Sequence, residues 1–318
     1  MELVLSVLLL AVGFVLLVKG ADWFVDGSSS VARLLKIPSV IIGLTIVSIG
    51  TSAPEAAVSI TASLAGSNEI AVSNVVGSNI FNLLVVIGVC AIIKAFASDK
   101  DIIKRDLPIN TIVSVILLAM IFDGTLSRIE GIVLLILMVL YVLLLIKNAL
   151  KNRDEGEDIK TMSPLKSLIF IAIGIAAIVL GGDFVVDNAK IIASALGMGD
   201  MLIGLTIVAI GTSLPELVTS IVAARKGESG LALGNAVGSC IFNILLILGV
   251  SATLSPIHLS PISASEALVD ASVLIGVTVL TYLFSRTKEK TVRWEGIIYV
   301  LVYSAYIAYA IMRAYNLI

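Results

Sequence analysis

The chain has 318 residues, of which 58% are hydrophobic and only 14% charged, with a formal net charge of −2. A soluble domain carries about 25% charged residues, so this chain has too little polar surface to wrap a water-soluble core. It has no basic cluster that would suit nucleic acid, and its two cysteines, Cys90 and Cys240, sit in apolar runs where they read as unpaired helix residues.

Taken in chain order, apolar runs of about 20 residues predict an all-α integral membrane protein with ten transmembrane helices. The runs lie near 3–20, 38–64, 70–93, 107–123, 129–147, 165–186, 200–224, 230–254, 266–284 and 294–314. The first lacks a basic leader and a small-residue cleavage site, so it reads as a retained span rather than a signal peptide. The one sizeable polar linker divides the chain into a first five-helix unit at 1–147, a linker at 148–163 and a second five-helix unit at 164–318.

Lysine and arginine set the orientation. With the N-terminus outside, 18 of the 21 basic residues fall in cytoplasmic loops, and only Arg128, Lys190 and Arg313 fall outside. Both termini are thus expected outside and the linker in the cytoplasm of a multi-pass plasma-membrane protein.

A shift of 161 residues aligns the two halves without a gap: Ile42–Val89 and Ile203–Val250 agree at 27 of 48 positions, polar ones included. Five spans per half is an odd number, so the halves must cross the bilayer in opposite senses. The loop charges agree. Lys94, Lys100, Lys104 and Arg105 follow the third span and have no basic counterpart after the eighth, whereas Arg225 and Lys226 follow the seventh and have none after the second. Inverted repeats of this kind place a substrate site near the midplane, where the repeats meet.

Two motifs recur at that offset. Gly50-Thr-Ser-Ala-Pro-Glu55 is matched by Gly211-Thr-Ser-Leu-Pro-Glu216, and Ser73-Asn-Val-Val-Gly-Ser-Asn-Ile-Phe-Asn82 by Gly234-Asn-Ala-Val-Gly-Ser-Cys-Ile-Phe-Asn243. Proline interrupts the helical hydrogen bonding, and carbonyls freed inside a bilayer need protein, water or an ion to satisfy them. A carboxylate in mid-span costs about 2.5–3.5 kcal/mol on insertion scales, so two at matched positions, Glu55 and Glu216, point to function. Carboxylates, hydroxyls and carbonyls together form the ligand set of a hard cation. In the second motif Asn74, Gly77, Ser78 and Asn82 share one helix face, as do Asn235, Gly238, Ser239 and Asn243. They read either as close-packing, hydrogen-bonding positions or as neutral oxygen ligands. Asp22, Asp26, Asp183 and Asp187 also recur, and read as helix-end caps or as the lining of an entry path.

These paired motifs resemble the α-repeats of the Ca²⁺/cation antiporter superfamily, and in particular its prokaryotic sodium/calcium exchangers, over essentially the whole chain. The resemblance implies ten helices in two inverted five-helix repeats, with the long first and sixth spans sliding across a core of spans 2, 3, 7 and 8. It implies a secondary antiporter that exchanges Ca²⁺ for Na⁺ by alternating access. Glu55 and Glu216 would share the Ca²⁺ site with the carbonyls of Thr51 and Thr212. Flanking Na⁺ sites would use Ser52, Ser78, Ser213 and Ser239, with the carbonyls of Ser48 and Ala209. One departure bears on the counter-ion. Such exchangers commonly have an aspartate at one of the positions held here by Asn82 and Asn243. With amides at both, the site offers two formal negative charges, enough for one Ca²⁺, whereas three Na⁺ would leave it at +1.

A Ca²⁺/H⁺ antiporter of the same fold is therefore the alternative reading, with a passive cation channel further off. An enzyme is not expected: the sole histidine, His258, falls in an outside loop, and no metalloprotease, P-loop or nucleophile-elbow motif occurs. No cofactor is expected beyond the transported Ca²⁺ and Na⁺ (or H⁺), and no partner beyond those ions and the lipid bilayer.

Overall fold

The computed structural model describes residues 2–97, 99–151, 161–199, 203, 206–207, 209–288 and 290–315. Its helices are α1 (Glu2–Leu35), α2 (Ser39–Thr51), α3 (Ala53–Leu64), α4 (Asn68–Ile93), α5 (Ile102–Asp123) and α6 (Arg128–Lys151), followed by α7 (Pro164–Ala195), α8 (Ala209–Gly211), α9 (Leu214–Lys226), α10 (Ser229–Leu254), α11 (Pro261–Lys288) and α12 (Arg293–Ala314). Among the described residues, eight are long and apolar enough to cross a bilayer, or nine when α2 and α3, bent by 51° at a short break, count as one span. Part of the expected seventh span, residues 200–202, 204, 205 and 208, lies outside the described residues, as do linker residues 152–160.

Two departures from the sequence reading have simple causes. The helices outrun their apolar stretches: α1 continues to Leu35 and α7 to Ala195. Hydropathy marks only the part suited to lipid, whereas a helix continues wherever its polar residues find partners. The fold is also not purely helical. Phe96–Ala97 (β1) pairs antiparallel with Lys290–Thr291 (β4), and Thr125–Leu126 (β2) with Ile257–His258 (β3).

α4 and α10 are the most enclosed spans. α6 and α12 turn large apolar side chains outward, such as Ile136, Val139, Leu143, Ile297 and Leu301, as lipid contact requires. α1 and α7 run side by side over much of their length. Their contact is a ladder of glycines at seven-residue spacing, Gly13 on Gly181, Gly20 on Gly174 and Gly27 on Ser167. The numbers rise on one helix as they fall on the other, so the pair is antiparallel. A Cβ built at any of these glycines would sit within 3.0 Å of the other helix's backbone, so only glycine permits this approach.

Contacts sort the connecting segments into two groups. In one, Asn68 Nδ2 donates to the His258 carbonyl (3.2 Å), Arg128 reaches the Leu254 carbonyl (3.4 Å), β2 pairs with β3, and Arg313 pairs with Asp270 (2.8 Å). In the other, β1 pairs with β4, Arg33 with Glu228, and the Met162 amide donates to Ser30 Oγ (3.0 Å).

Candidate functional site

α2 ends at Ser52, whose φ of −82° and ψ of 10° leave the helical path. α3 then restarts with Pro54 and Glu55 in its first turn. Ser213 (φ −94°, ψ 6°), Pro215 and Glu216 repeat this at the start of α9. A first turn tolerates proline because its amides have no helical acceptors. The same unpaired amides give a helix start partial positive charge. Each glutamate thus sits where a restarted helix favours an anion, and both are 0% exposed.

The glutamates are bound crosswise. Ser52 Oγ donates to Glu216 Oε1 at 2.8 Å and Ser213 Oγ to Glu55 Oε1 at 2.9 Å, so each motif's serine serves the other motif's carboxylate. Ser78 in α4 approaches Glu55 Oε1 at 3.5 Å, and Ser239 in α10 approaches Glu216 Oε1 at 3.4 Å. The second carboxylate oxygens, Glu55 Oε2 and Glu216 Oε2, are buried without a protein partner. So are Thr212 Oγ1, Asn243 Oδ1 and both polar side-chain atoms of Asn82. Buried polar atoms ordinarily find partners. The oxygens among them, anionic or neutral and built around two helix breaks, have the donor chemistry of a hard-cation site. Among the described residues no cluster of three or more His, Cys, Asp or Glu competes with it.

The other expected site residues take varied places. Asn82 opens a π-helical turn (Asn82–Val86) that packs against α9, and Asn243 opens another (Asn243–Leu248) that packs against α3. Each turn is therefore packed against the helix of one glutamate. π-turns are frequent at functional sites because they re-aim side chains out of regular register. The Ser48 carbonyl accepts the Ser52 amide at 3.0 Å and faces the Thr51 hydroxyl at 3.4 Å. Thr51 Oγ1 lies 2.9 Å from Asn235 Oδ1 and 3.1 Å from the Val47 carbonyl. Ala209 opens α8.

Asn74 and Asn235 fall to the hydrogen-bonding side of the two readings. Asn74 Nδ2 donates to the Glu55 carbonyl (3.3 Å) and Ser59 Oγ (2.8 Å), and Asn235 Nδ2 to the Glu216 carbonyl (3.3 Å) and Ser220 Oγ (3.0 Å). They hold the glutamate helices in place. Sequence reasoning passed over Ser59, Ser220 and Asn79. Ser59 and Ser220 match between the halves, and that was a usable signal; Asn79 is replaced by Cys240 and so escaped a search for identities.

The recurring aspartates part company. Lys226 Nζ at the end of α9 binds Asp22 Oδ1 at 2.7 Å and Asp26 Oδ1 at 2.6 Å on α1. Burial lowers the Lys226 pKa, but the two carboxylates outweigh it and leave the ammonium above its ordinary value. These pairs and Arg33–Glu228 flank a cavity of about 250 Å³ lined also by Ser29 and Ser30. In the other half Asp187 pairs along its own helix, with Lys190 at 3.3 Å, and the position matching Lys226 is Ala65.

A family model described as sodium/calcium exchanger protein matches residues 5–147 and 166–312. The inner membrane protein YrbG of Escherichia coli is 40% identical over 288 residues, covering 87% of this chain and 88% of that protein. The sodium/calcium exchanger MaX1 of Methanosarcina acetivorans is 34% identical, covering 94% of this chain and 97% of that one. A solved structure of the sodium-calcium exchanger NCX_Mj superposes with a TM-score of 0.84 at 36% identity, covering 96% of this chain and 98% of that one.

Proposed function

This chain belongs to the sodium/calcium exchanger family, and from that membership we propose that it exchanges Ca²⁺ for Na⁺ across the membrane by alternating access, with the ion held between Glu55 and Glu216. The observation that carries this reading is the crosswise pairing of Ser52 with Glu216 and Ser213 with Glu55, which leaves a free buried oxygen on each carboxylate.

Two opposed carboxylates in a site closed to water repel each other, so the empty site must take up cations. One Ca²⁺ brings its formal charge to zero. Na⁺ competes for the same oxygens of Glu55, Glu216, Ser52, Ser78, Ser213 and Ser239, with Thr51, Thr212, Asn82, Asn243 and the carbonyls of Ser48 and Ala209 completing the set. Mutual exclusion gives antiport, because a charged empty site is too costly to carry past an apolar gate.

The architecture that serves this is ten crossings in two inverted repeats of five, with both termini outside and the linker in the cytoplasm of the plasma membrane. The two groups of loop contacts support it. Each group joins only segments that this orientation puts on one side, and the Lys226 and Arg33 pairs fall on the cytoplasmic side.

Those pairs fasten α1 to the end of α9 and to Glu228 at the start of α10, and close the inner approach. α7 makes no comparable packing on α3 among the described residues. Lys226→Met is therefore expected to shift the population toward the inward-open state. In oriented vesicles, apparent Ca²⁺ affinity at the cytoplasmic face should rise several-fold and that at the opposite face fall by a similar factor. An unchanged ratio of the two would remove the latch from the mechanism. Because the pairs are partly exposed, salt should mimic the substitution weakly.

The whole reading is tested by reconstituting the protein and following ⁴⁵Ca²⁺ uptake into Na⁺-loaded and Na⁺-free vesicles, then with a pH gradient alone. Uptake should require the outward Na⁺ gradient. Uptake driven only by the pH gradient would make the protein a Ca²⁺/H⁺ antiporter, and uptake with no opposing gradient a channel.

A further inference from the structure

Residues that are repeat counterparts of each other and also touch must lie where the two halves meet. Asn79 and Cys240, 161 residues apart, are such a pair: Asn79 Nδ2 donates to the Cys240 carbonyl at 3.0 Å, and Cys240 Sγ lies 3.6 Å from the Asn79 carbonyl. Both are 0% exposed. Asn79 makes a second bond, accepting at Oδ1 from Asn243 Nδ2 at 3.0 Å.

The direction of this chain is forced. The Cys240 carbonyl can only accept, so Asn79 must present Nδ2 to it and Oδ1 to Asn243. Asn243 must then spend its NH₂ on Asn79, and its Oδ1 is left buried with no protein partner, on a turn packed against the Glu55 helix. Turning the Asn243 amide over would set two carbonyl oxygens against each other. In the other half cysteine stands where Asn79 would, and Asn82 keeps both of its polar atoms without a protein partner.

We propose that Asn79 is a positioning residue that locks the Asn243 amide with its oxygen toward the transported cation, while Asn82 carries no such lock. The two halves therefore offer one fixed and one rotatable neutral ligand. This rests on the reading of Glu55 and Glu216 as the ion site. An oxygen held ready costs nothing to orient when the ion arrives, whereas a free amide must be turned on each cycle.

Asn79→Cys, which makes the first half match the second, tests it in two backgrounds. Binding is read as the rise in melting midpoint with Ca²⁺ in detergent, so variants that do not transport still report. With Asn243 in place, Asn79→Cys should raise the half-saturating Ca²⁺ concentration about tenfold, the scale of one lost hydrogen bond. With Asn243→Asp, it should cause no loss, because a carboxylate presents an oxygen whichever way it turns and Asn79→Cys then removes an oxygen that faced it. An equal loss in both backgrounds, or none with Asn243 in place, overturns the proposal. Glu216→Ala serves as the separate control. If it retains the Ca²⁺-dependent shift, it is the glutamate site that fails.

Discussion

Replacing Glu55 or Glu216 by alanine is expected to abolish Ca²⁺ exchange. Each substitution removes half of the site's formal charge and leaves a buried serine hydroxyl, Ser213 or Ser52, without its acceptor. Glutamine separates the two effects: it keeps the volume and an oxygen but leaves one negative charge against a divalent ion. In a buried site that imbalance is worth several kcal/mol, so Glu55→Gln and Glu216→Gln should each lose more than about 100-fold in ⁴⁵Ca²⁺ uptake at limiting Ca²⁺. The serines should be milder. A hydrogen bond to a charged group contributes about 1.5–3 kcal/mol, so Ser52→Ala and Ser213→Ala should lower Ca²⁺ affinity by roughly 10- to 100-fold. Because their geometries match, the two should agree within about threefold. Retained exchange in both glutamine variants would remove the carboxylates from the site, and a large inequality between the serine variants would show that the crosswise pairing is not functionally equivalent.

The second large effect concerns the seam between α1 and α7. A Cβ at Gly174 would meet Phe24 Cβ at 2.7 Å, the Phe24 amide nitrogen at 2.8 Å and the Gly20 carbonyl at 2.9 Å. Two of these are backbone atoms and cannot turn aside. Phe24 itself is 0% exposed. Gly174→Val must therefore push the helices apart, which costs about 1–3 kcal/mol by the scale of overpacked cores and opens the neighbouring rungs at Gly13–Gly181 and Gly27–Ser167. The expected result is a fall of several degrees in the melting midpoint in detergent and a strongly reduced exchange rate. Gly276 in α11 is the control. It has open space on every side, so Gly276→Ala should be neutral or stabilising by up to about 1 kcal/mol. Equal behaviour of the two variants would show that the glycine ladder does not hold the helices together.

The membrane class, the repeat and the glutamate pair were legible in the residues because each rests on a cost that lipid imposes wherever it occurs. An apolar run of 20 residues has few other uses, and a carboxylate in mid-span is expensive enough to mark itself. Identity at the fixed offset picked out Ser52, Ser78, Asn82 and their partners for the same reason. Helix ends were less legible, because α1 and α7 extend past their apolar runs into stretches that carry Asp26, Arg33 and Asp187.

Residue order alone therefore determined the membrane class, the internal repeat and the chemical character of the candidate site. Which serine meets which glutamate, which aspartates find a lysine, and which amide is hydrogen-bonded to Asn79 were decided by the tertiary structure. Those contacts join residues 158 to 204 positions apart, and their sense depends on helix crossing and on the direction of a single carbonyl at Cys240. Local pattern carries no record of either. The search for matched residues even hid Asn79, because its role comes from a position where the halves differ.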